Sequence, residues 1–139
     1  MLIRHLKDCP EFTAGDNCRL RELLNAKTDD RAFGYSLAHA TVKPGLRTKP
    51  HSLKTSEVYY ILEGKGRMYV GGEAADIGPG DVIDIPPHAV QCIECVGTTD
   101  LVFLCIVDPA WCAEDEEILT EGLPRESHAS RDREGREYP

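Results

Sequence analysis

Residues 44–64 read PGLRTKPHSLKTSEVYYILEG, and this stretch decides the fold. Its second half, VYYILE, is β-branched, aromatic and aliphatic, and such residues favour a β-strand. His51, Leu53 and Glu57 are separated by even steps, so in an extended strand all three side chains point to one face. A histidine and a carboxylate on one face of an otherwise apolar strand indicate a metal site, because an ion satisfies both groups at once.

The 139 residues have the length of a single domain. The 12 glycines and 9 prolines separate short apolar runs, which predicts many strands and turns instead of a few long helices. A formal net charge of −8 argues against nucleic acid and acidic membrane surfaces as partners. No apolar run approaches the roughly 20 residues that span a bilayer. Residues 1–10 lack the apolar core of a signal peptide, so we expect a cytoplasmic protein.

The chain has six cysteines, a number compatible with disulfide bonds or a zinc site. Without an export signal, disulfide bonds are not expected. Cys92 and Cys95 have CxxC spacing, but an offset of three in a strand places two side chains on opposite faces, and the sequence has no second CxxC pair. We therefore predict that all six cysteines are reduced, and that most of them are buried as small apolar residues.

About ten short strands with turns at regular spacing predict an all-β sandwich or barrel. They are Leu2–Leu6, Cys18–Leu24, Phe33–Val42, two strands that flank Leu53–Ser56, Arg67–Val70, Glu73–Ile77, Val82–Ile85, Val90–Val96 and Leu101–Val107. Ala113–Leu119 has acids early in the segment and predicts one or two helical turns near the C-terminus. We therefore divide the chain into N-terminal strands at 1–24, a barrel at 25–112, and an acidic segment with a polar tail at 113–139.

The second informative stretch is GDVIDIPPHAVQ, at residues 80–91. Its glycine-aspartate pair, strand, double proline and final polar side chain resemble the second motif of the cupin superfamily. Residues 45–64 resemble the first motif in the spacing of the glycines, the histidine and the glutamate. The resemblance is to the small single-domain cupins of the conserved-barrel type, cupin 2, and covers residues 33–107. It implies a double-stranded β-helix, the cupin jelly-roll barrel.

The resemblance also implies metal ligands at four positions. His51, Glu57 and Gln91 keep oxygen or nitrogen donors there, whereas Leu53 stands where the family usually has a second histidine. Gln91 replaces the usual third histidine, and glutamine is a metal ligand in some cupins. A histidine, a carboxylate and an amide oxygen would hold Mn²⁺, Fe²⁺, Ni²⁺ or Zn²⁺ and leave positions open for water or substrate.

A catalytic site needs an acid or a base in addition to the metal ligands. Tyr59, His88 and His39 are the candidates, and either histidine is also a possible replacement ligand. A lone histidine is more often a hydrogen-bonded structural residue than a ligand. Tyr59 and Ile61 share the parity of Glu57, which places them in the same pocket or in ordinary barrel core.

The leading functional hypothesis is a metal-dependent cupin that acts on a small polar metabolite. Isomerase, lyase, hydrolase and dioxygenase chemistries all occur on this fold, so the fold does not choose among them. The alternative is a non-catalytic binding or sensing cupin with a metal-free pocket, in which His51 and Glu57 bond to each other and Gln91 completes a polar patch. Residues 1–24 have no strand to pair with in a minimal barrel, so we expect them to form a homodimer contact. We expect Trp111 to pack the C-terminal segment onto the barrel or the partner.

Overall fold

The computed structural model describes residues 1–119, 130–131 and 137–138. This part of the chain consists mainly of short β-strands, with single 3-10 turns at Leu6–Asp8 and Ala113–Asp115. The strands, in chain order, are β1 (Glu11–Thr13), β2 (Arg19–Asn25), β3 (Ser36–Val42), β4 (His51–Leu53), β5 (Ser56–Glu63), β6 (Gly66–Val70), β7 (Glu73–Ile77), β8 (Val82–Ile85), β9 (Gln91–Cys95), β10 (Leu101–Asp108), β11 (Glu116–Ile118), β12 (Ser130–Arg131) and β13 (Glu137–Tyr138).

Two antiparallel sheets form the body of the fold. One has six strands in the order β1-β2-β3-β10-β5-β8, and the other has five in the order β11-β4-β9-β6-β7. Strands β12 and β13 pair separately. Both sheets also pair strands that are distant in sequence, as in β3-β10-β5 and β4-β9-β6, which is the crossed connectivity of a jelly roll. The predicted all-β barrel is confirmed.

The core lies between the two sheets. Strands β5 and β10 alternate buried and exposed residues along most of their length, so each presents one face to the interior. Ile61, Ile93 and Phe103 are essentially inaccessible to solvent. The rings of Tyr59 and Phe103 lie 4.6 Å apart, centroid to centroid, on adjacent strands of the six-stranded sheet. This packing fixes the strand that carries Tyr59 and Glu57.

Gly64 ends β5 at a point where no other residue fits. Its φ is +87°, in the left-handed region that glycine tolerates, and a Cβ there would lie 2.9 Å from the Cα of Leu101 and closer still to the backbone of Asp100. Gly71, in the turn between β6 and β7, also has a positive φ of +59° but has open space around it. Both conformation and close packing therefore require glycine at Gly64.

The N-terminus differs from the prediction. The predicted strand Leu2–Leu6 is wrong, since this segment is irregular and leads into the first 3-10 turn. The predicted strand Cys18–Leu24 is present as β2, but it pairs with β3 of the same chain from Arg19 opposite Thr41 onward. The argument that residues 1–24 lack a pairing strand is therefore wrong. The homodimer stays a prediction, now without that argument to support it.

Residues 51–57 do not form one strand. The chain bends at Lys54-Thr55, so β4 joins the five-stranded sheet and β5 joins the six-stranded sheet. His51, Leu53 and Glu57 are all buried, as predicted, but they approach the interior from opposite sheets. The two strands predicted to flank Leu53–Ser56 are confirmed as β4 and β5. The parity argument from a single extended strand is wrong in its geometry, although the convergence that it predicts is present.

The C-terminal segment has less helix than predicted. One 3-10 turn is followed by β11, which pairs with β4 and places Glu116 opposite Leu53. Trp111 connects this segment to the barrel, because its backbone N–H donates a hydrogen bond to Ser36 Oγ of β3, as expected for a residue that holds the segment in place. Most of the predicted polar tail lies outside the described residues.

All six cysteines are free, as predicted. Cys92 packs with Tyr69 and Ala74 in a small outer cluster, whereas Cys95 belongs to the main core, so the two thiols face opposite sides of β9. Within the described residues, we find no helix with the length and apolar character needed to cross a membrane.

Candidate functional site

A cavity of about 200 Å³ lies between the two sheets. Its walls are largely apolar and aromatic, and they include Phe12, Leu20, Leu53, Phe103, Val107 and Trp111. The polar residues in its lining include Thr13, Asp16, His51, Glu57, Tyr59 and Glu116. An apolar cavity with a few convergent polar groups is the usual form of a small-molecule site.

The imidazole of His51 is held in one orientation. Its Nδ1 lies 2.7 Å from the carbonyl oxygen of Lys49, which accepts only, so Nδ1 carries a proton. In the neutral ring Nε2 then keeps its lone pair, and the side chain lines the cavity. The carboxylate oxygen Oδ2 of Asp16 is 3.6 Å from Nε2, which is too far for a hydrogen bond. A backbone carbonyl bonded to the second ring nitrogen is also how metal-binding histidines are oriented.

Asp16 is a site residue that the sequence did not reveal. It lies in the turn between β1 and β2, where its Oδ1 accepts a hydrogen bond from the N–H of Cys18 at 3.0 Å. Its backbone carbonyl accepts from the N–H of Lys49 at 2.7 Å, so the same residue that orients His51 also holds Asp16. The sequence signal was Gly15-Asp16-Asn17, a group of turn-forming residues between two strands. That signal predicts a turn, but it does not show what the turn packs against.

Glu57 and Tyr59 are joined through Gln91. The amide Nε2 of Gln91 donates to Glu57 Oε1 at 2.7 Å, and Tyr59 Oη donates to Gln91 Oε1 at 2.8 Å. Gln91 is fully buried, lies opposite His51 in the β4–β9 pairing, and does not itself line the cavity. Its side chain therefore connects the five-stranded sheet to a carboxylate on the six-stranded sheet. The bond between His51 and Glu57 that the metal-free alternative predicts is not present among the described residues.

Burial controls the protonation of the groups at the cavity. It raises the pKa of Glu57 to about 7, although the Gln91 amide and His51 both favour the charged form. Burial, together with the nearby Glu57 charge, also raises the pKa of Tyr59 well above its usual value. The pKa values of the Cys18 and Cys105 thiols in the wall are raised in the same way, so neither is a thiolate near neutral pH. Among these groups, Glu57 is the one whose pKa is placed near neutrality.

The family of the chain follows from comparison with known proteins. The sequence of residues 38–107 matches the protein-family model that is described as Cupin domain. The chain belongs to the cupin family. Uncharacterized protein MJ1618 of Methanocaldococcus jannaschii is 41% identical over 109 residues, which are 78% of this cupin and 86% of that protein. L-ectoine synthase of Bordetella avium is 29% identical over 114 residues, covering 78% of this cupin and 83% of the enzyme.

Among solved structures, oxalate decarboxylase of Bacillus subtilis, a protein with Mn(II) centres, superposes with a TM-score of 0.69 at 25% identity. The superposition covers 82% of this cupin and 31% of the decarboxylase. His51, Glu57 and Gln91 lie within the matched cupin domain, whereas Asp16 and Glu116 lie outside it. Two of the polar side chains in the cavity therefore come from segments that the cupin motifs do not include.

The two other histidine candidates do not reach the cavity of this cupin. His39 is half-buried on β3, opposite Leu104 of β10, and burial lowers its pKa. His88 is exposed in the turn before β9, with a φ of +70° and its N–H donating to the carbonyl of Leu53 at 2.7 Å. Neither histidine lines the cavity, so their predicted roles as ligand or acid-base group have no support from this geometry. Of the pair Tyr59 and Ile61, only Tyr59 lines the cavity.

The cavity of this cupin contains some of the side-chain ligands that a metal ion needs. Among the described residues, no group of three His, Cys, Asp or Glu side chains stands ready to hold an ion. However, the 3.6 Å between His51 Nε2 and Asp16 Oδ2 is close to the separation of two ligands on one tetrahedral ion, about 3.4 Å for bonds of roughly 2.1 Å. Glu57 Oε2 makes no hydrogen bond within the described part of the structure, so it remains available as a donor. Leu53, buried in the cavity wall, contributes none.

Proposed function

We propose that this cupin binds one divalent transition metal in the cavity and presents it to a small polar metabolite. The observation that carries the proposal is the arrangement of His51: the ring is buried, Nδ1 is fixed by the Lys49 carbonyl, and Nε2 faces Asp16 at 3.6 Å. Two groups with free lone pairs at this separation are unfavourable inside a protein unless a proton or a cation lies between them. We infer that His51, Glu57 and Asp16 are protein ligands of the ion.

Gln91, the third ligand predicted from the sequence, also orients a neighbouring ligand. Its Oε1 already accepts a hydrogen bond from Tyr59, and its Nε2 orients Glu57. An amide oxygen has two lone pairs, so a metal bond from Oε1 would have to use the remaining one. We propose that Gln91 acts chiefly by holding the Glu57 carboxylate, as residues that orient metal ligands do.

A metal in this position would polarise a carbonyl or carboxylate of the metabolite, or activate a water molecule. The residues of the chain supply the surroundings. Phe103, Leu53 and Val107 form an apolar part of the cavity wall. Tyr59, kept protonated by burial, holds Gln91 and through it Glu57. The likeness to L-ectoine synthase supports an enzymatic function over a sensing function, and the Mn(II) centres of oxalate decarboxylase support Mn²⁺ as a first metal to test.

The proposal is tested by elemental analysis of protein purified without an affinity tag. We expect about one equivalent of Mn, Fe, Ni or Zn in the wild type, and its loss in His51→Ala. His39→Ala is the matched control, because it removes a histidine that does not line the cavity. Full metal content in His51→Ala would remove this residue from the site.

A metal-free binding cupin is the second candidate function. It is favoured by Leu53 and by the closed chain of hydrogen bonds from Tyr59 through Gln91 to Glu57, which satisfies much of the buried polar surface without an ion. If no metal is retained after incubation with Mn²⁺, Fe²⁺, Ni²⁺ and Zn²⁺, this second function becomes the better one.

A further inference from the structure

Three carboxylates reach the cavity, and no lysine or arginine among the described residues lines it. They are Asp16, Glu57 and Glu116. None of them has a lysine or arginine partner in the ion pairs of the described part of the chain. A small, largely apolar space with this much negative charge favours a positively charged occupant.

One divalent ion does not balance this charge. If the metal of the proposed function is bound by His51, Glu57 and Asp16, its two positive charges offset the two carboxylates among its ligands. The carboxylate of Glu116 remains unbalanced. Glu116 lies on β11, which follows the two cupin motifs in the sequence, and it lines the same cavity. One negative charge is therefore left for the organic ligand to neutralise.

Glu116 is held in place for such a role. Its Oε2 accepts a hydrogen bond from Nε1 of Trp111 at 2.6 Å, an exposed bond that fixes the carboxylate at the N–H edge of the indole ring. Its other oxygen, Oε1, makes no hydrogen bond within the described residues. Trp111 and Phe12 also line the cavity, and aromatic faces attract organic cations. A carboxylate forms a strong charge-assisted hydrogen bond with an ammonium group, and a neighbouring aromatic ring adds to the attraction.

A second observation concerns the histidine in the cavity wall. His51 is more than nine-tenths buried, and its Nε2 lines the cavity without a hydrogen bond to any described residue. Asp16 Oδ2, at 3.6 Å, is beyond hydrogen-bond distance, so Nε2 is available to a group bound in the cavity.

We propose that the metabolite of this cupin is a small amine, whose ammonium group binds Glu116 beside the Trp111 ring while the rest of the molecule points to His51 and Glu57. The amine inference rests on the proposed function for its charge balance. The cavity, at about 200 Å³, is below the roughly 300–1,000 Å³ typical of drug-sized sites, so the amine is small.

The single tryptophan of the chain makes the test direct. The fluorescence of Trp111 is recorded while full-length protein is titrated with butylammonium, and in parallel with 1-butanol and butyrate, which have the same chain length. The comparison is made after treatment with EDTA, because a bound metal would itself attract the butyrate carboxylate. We expect a saturable change with butylammonium, binding weaker by about tenfold or more with 1-butanol, and none with butyrate. Equal or tighter binding of butyrate or 1-butanol would overturn the inference.

Glu116→Gln is the decisive variant, because the amide oxygen can still accept from the Trp111 indole while the charge is lost. We expect butylammonium binding to weaken by about tenfold or more in this variant. Glu117→Gln is the matched control, since Glu117 is exposed on the other face of β11. Unchanged binding in Glu116→Gln would assign the charge preference elsewhere and overturn the inference.

Repeating the butylammonium titration on protein that has not been treated with EDTA separates this inference from the metal proposal. Glu116 is not a proposed ligand of the metal, so butylammonium should bind with or without the ion. A protein that retains metal but shows no preference for the ammonium form would overturn the amine inference alone. A protein that binds butylammonium through Glu116 but retains no metal would overturn the metal proposal alone.

Discussion

Replacing Glu57 with glutamine should remove a large pH dependence from the stability of the metal-free protein. Burial raises the pKa of this carboxyl from 4.5 to about 7 in the folded state. The folded protein therefore holds the proton where the unfolded chain has already released it. The stabilisation is fully present below pH 4.5 and is lost as the pH rises through 7. At 1.36 kcal/mol for each pKa unit, the wild type should lose about 3 kcal/mol over this interval.

The assay is urea unfolding of both proteins, treated with EDTA, at several pH values between 4 and 8. Glu57→Gln keeps an oxygen that can accept from Gln91, so the hydrogen bond at 2.7 Å need not be lost. Other titrating groups are common to both proteins and cancel in the difference of their unfolding free energies. That difference should move by about 3 kcal/mol in favour of the variant from pH 4.5 to 7.5. This is a large part of the 5–15 kcal/mol typical of a domain.

A difference that stays constant across this pH range would refute the reasoning, because it would mean that Glu57 is solvated or already paired with a cation. Adding metal supplies the complementary check. An ion bound to the carboxylate favours its charged form, so metal should stabilise the wild type at pH 7.5 and have little effect on Glu57→Gln. Equal stabilisation of both proteins by metal would place the ion elsewhere.

Two further predictions concern Asp16 and Gly64. Asp16→Asn keeps an acceptor for the Cys18 N–H but removes the charge beside His51, so we expect Mn²⁺ affinity in isothermal titration to fall by about tenfold or more, whereas Asp84→Asn on the exposed side of β8 leaves it unchanged. An Asp16→Asn protein with wild-type affinity would show that Asp16 is not a ligand. Gly64→Ala places a Cβ against the backbone of Asp100 and Leu101 and should cost roughly 2–5 kcal/mol in urea unfolding, against about 1 kcal/mol for Gly71→Ala, whose surroundings are open. Similar losses for the two glycine variants would show that backbone conformation, and not close packing, sets the cost.

The middle of the barrel was predictable from sequence because turn residues mark where strands end. Gly71-Gly72 separates β6 from β7, and Gly78–Asp81 separates β7 from β8, close to the predicted boundaries. The ends of the chain carry weaker signals. Strand β11 is three residues long and consists of EEI, which has no alternation to distinguish a strand from the predicted helical turn. Its pairing with β4 decides its conformation, and a local pattern does not contain that contact.

The candidate site was predictable only where the family motifs cover it. His51 and Glu57 were identified for their chemistry, although the bend at Lys54-Thr55 places them on separate sheets. Asp16 is brought to His51 by a hydrogen bond between its carbonyl and the backbone of Lys49, and a turn in the sequence gives no indication of such a long-range contact. The sequence predicts Glu116 as one of the acids in a helical turn. Its position at the cavity depends on the pairing of β11 with β4, which the local sequence does not contain.

The side chain of Gln91 is a bridge between two layers that otherwise meet through apolar packing at this point. It leaves β9 in the five-stranded sheet and ends on Glu57 and Tyr59 of β5 in the six-stranded sheet. A ligand that contacts both His51 and Glu57 would add a second bridge beside the first. A bound ligand would then hold the two sheets together at this point. The amide hydrogens of β4 and β5 would exchange more slowly with solvent as the fraction of ligand-bound protein rises.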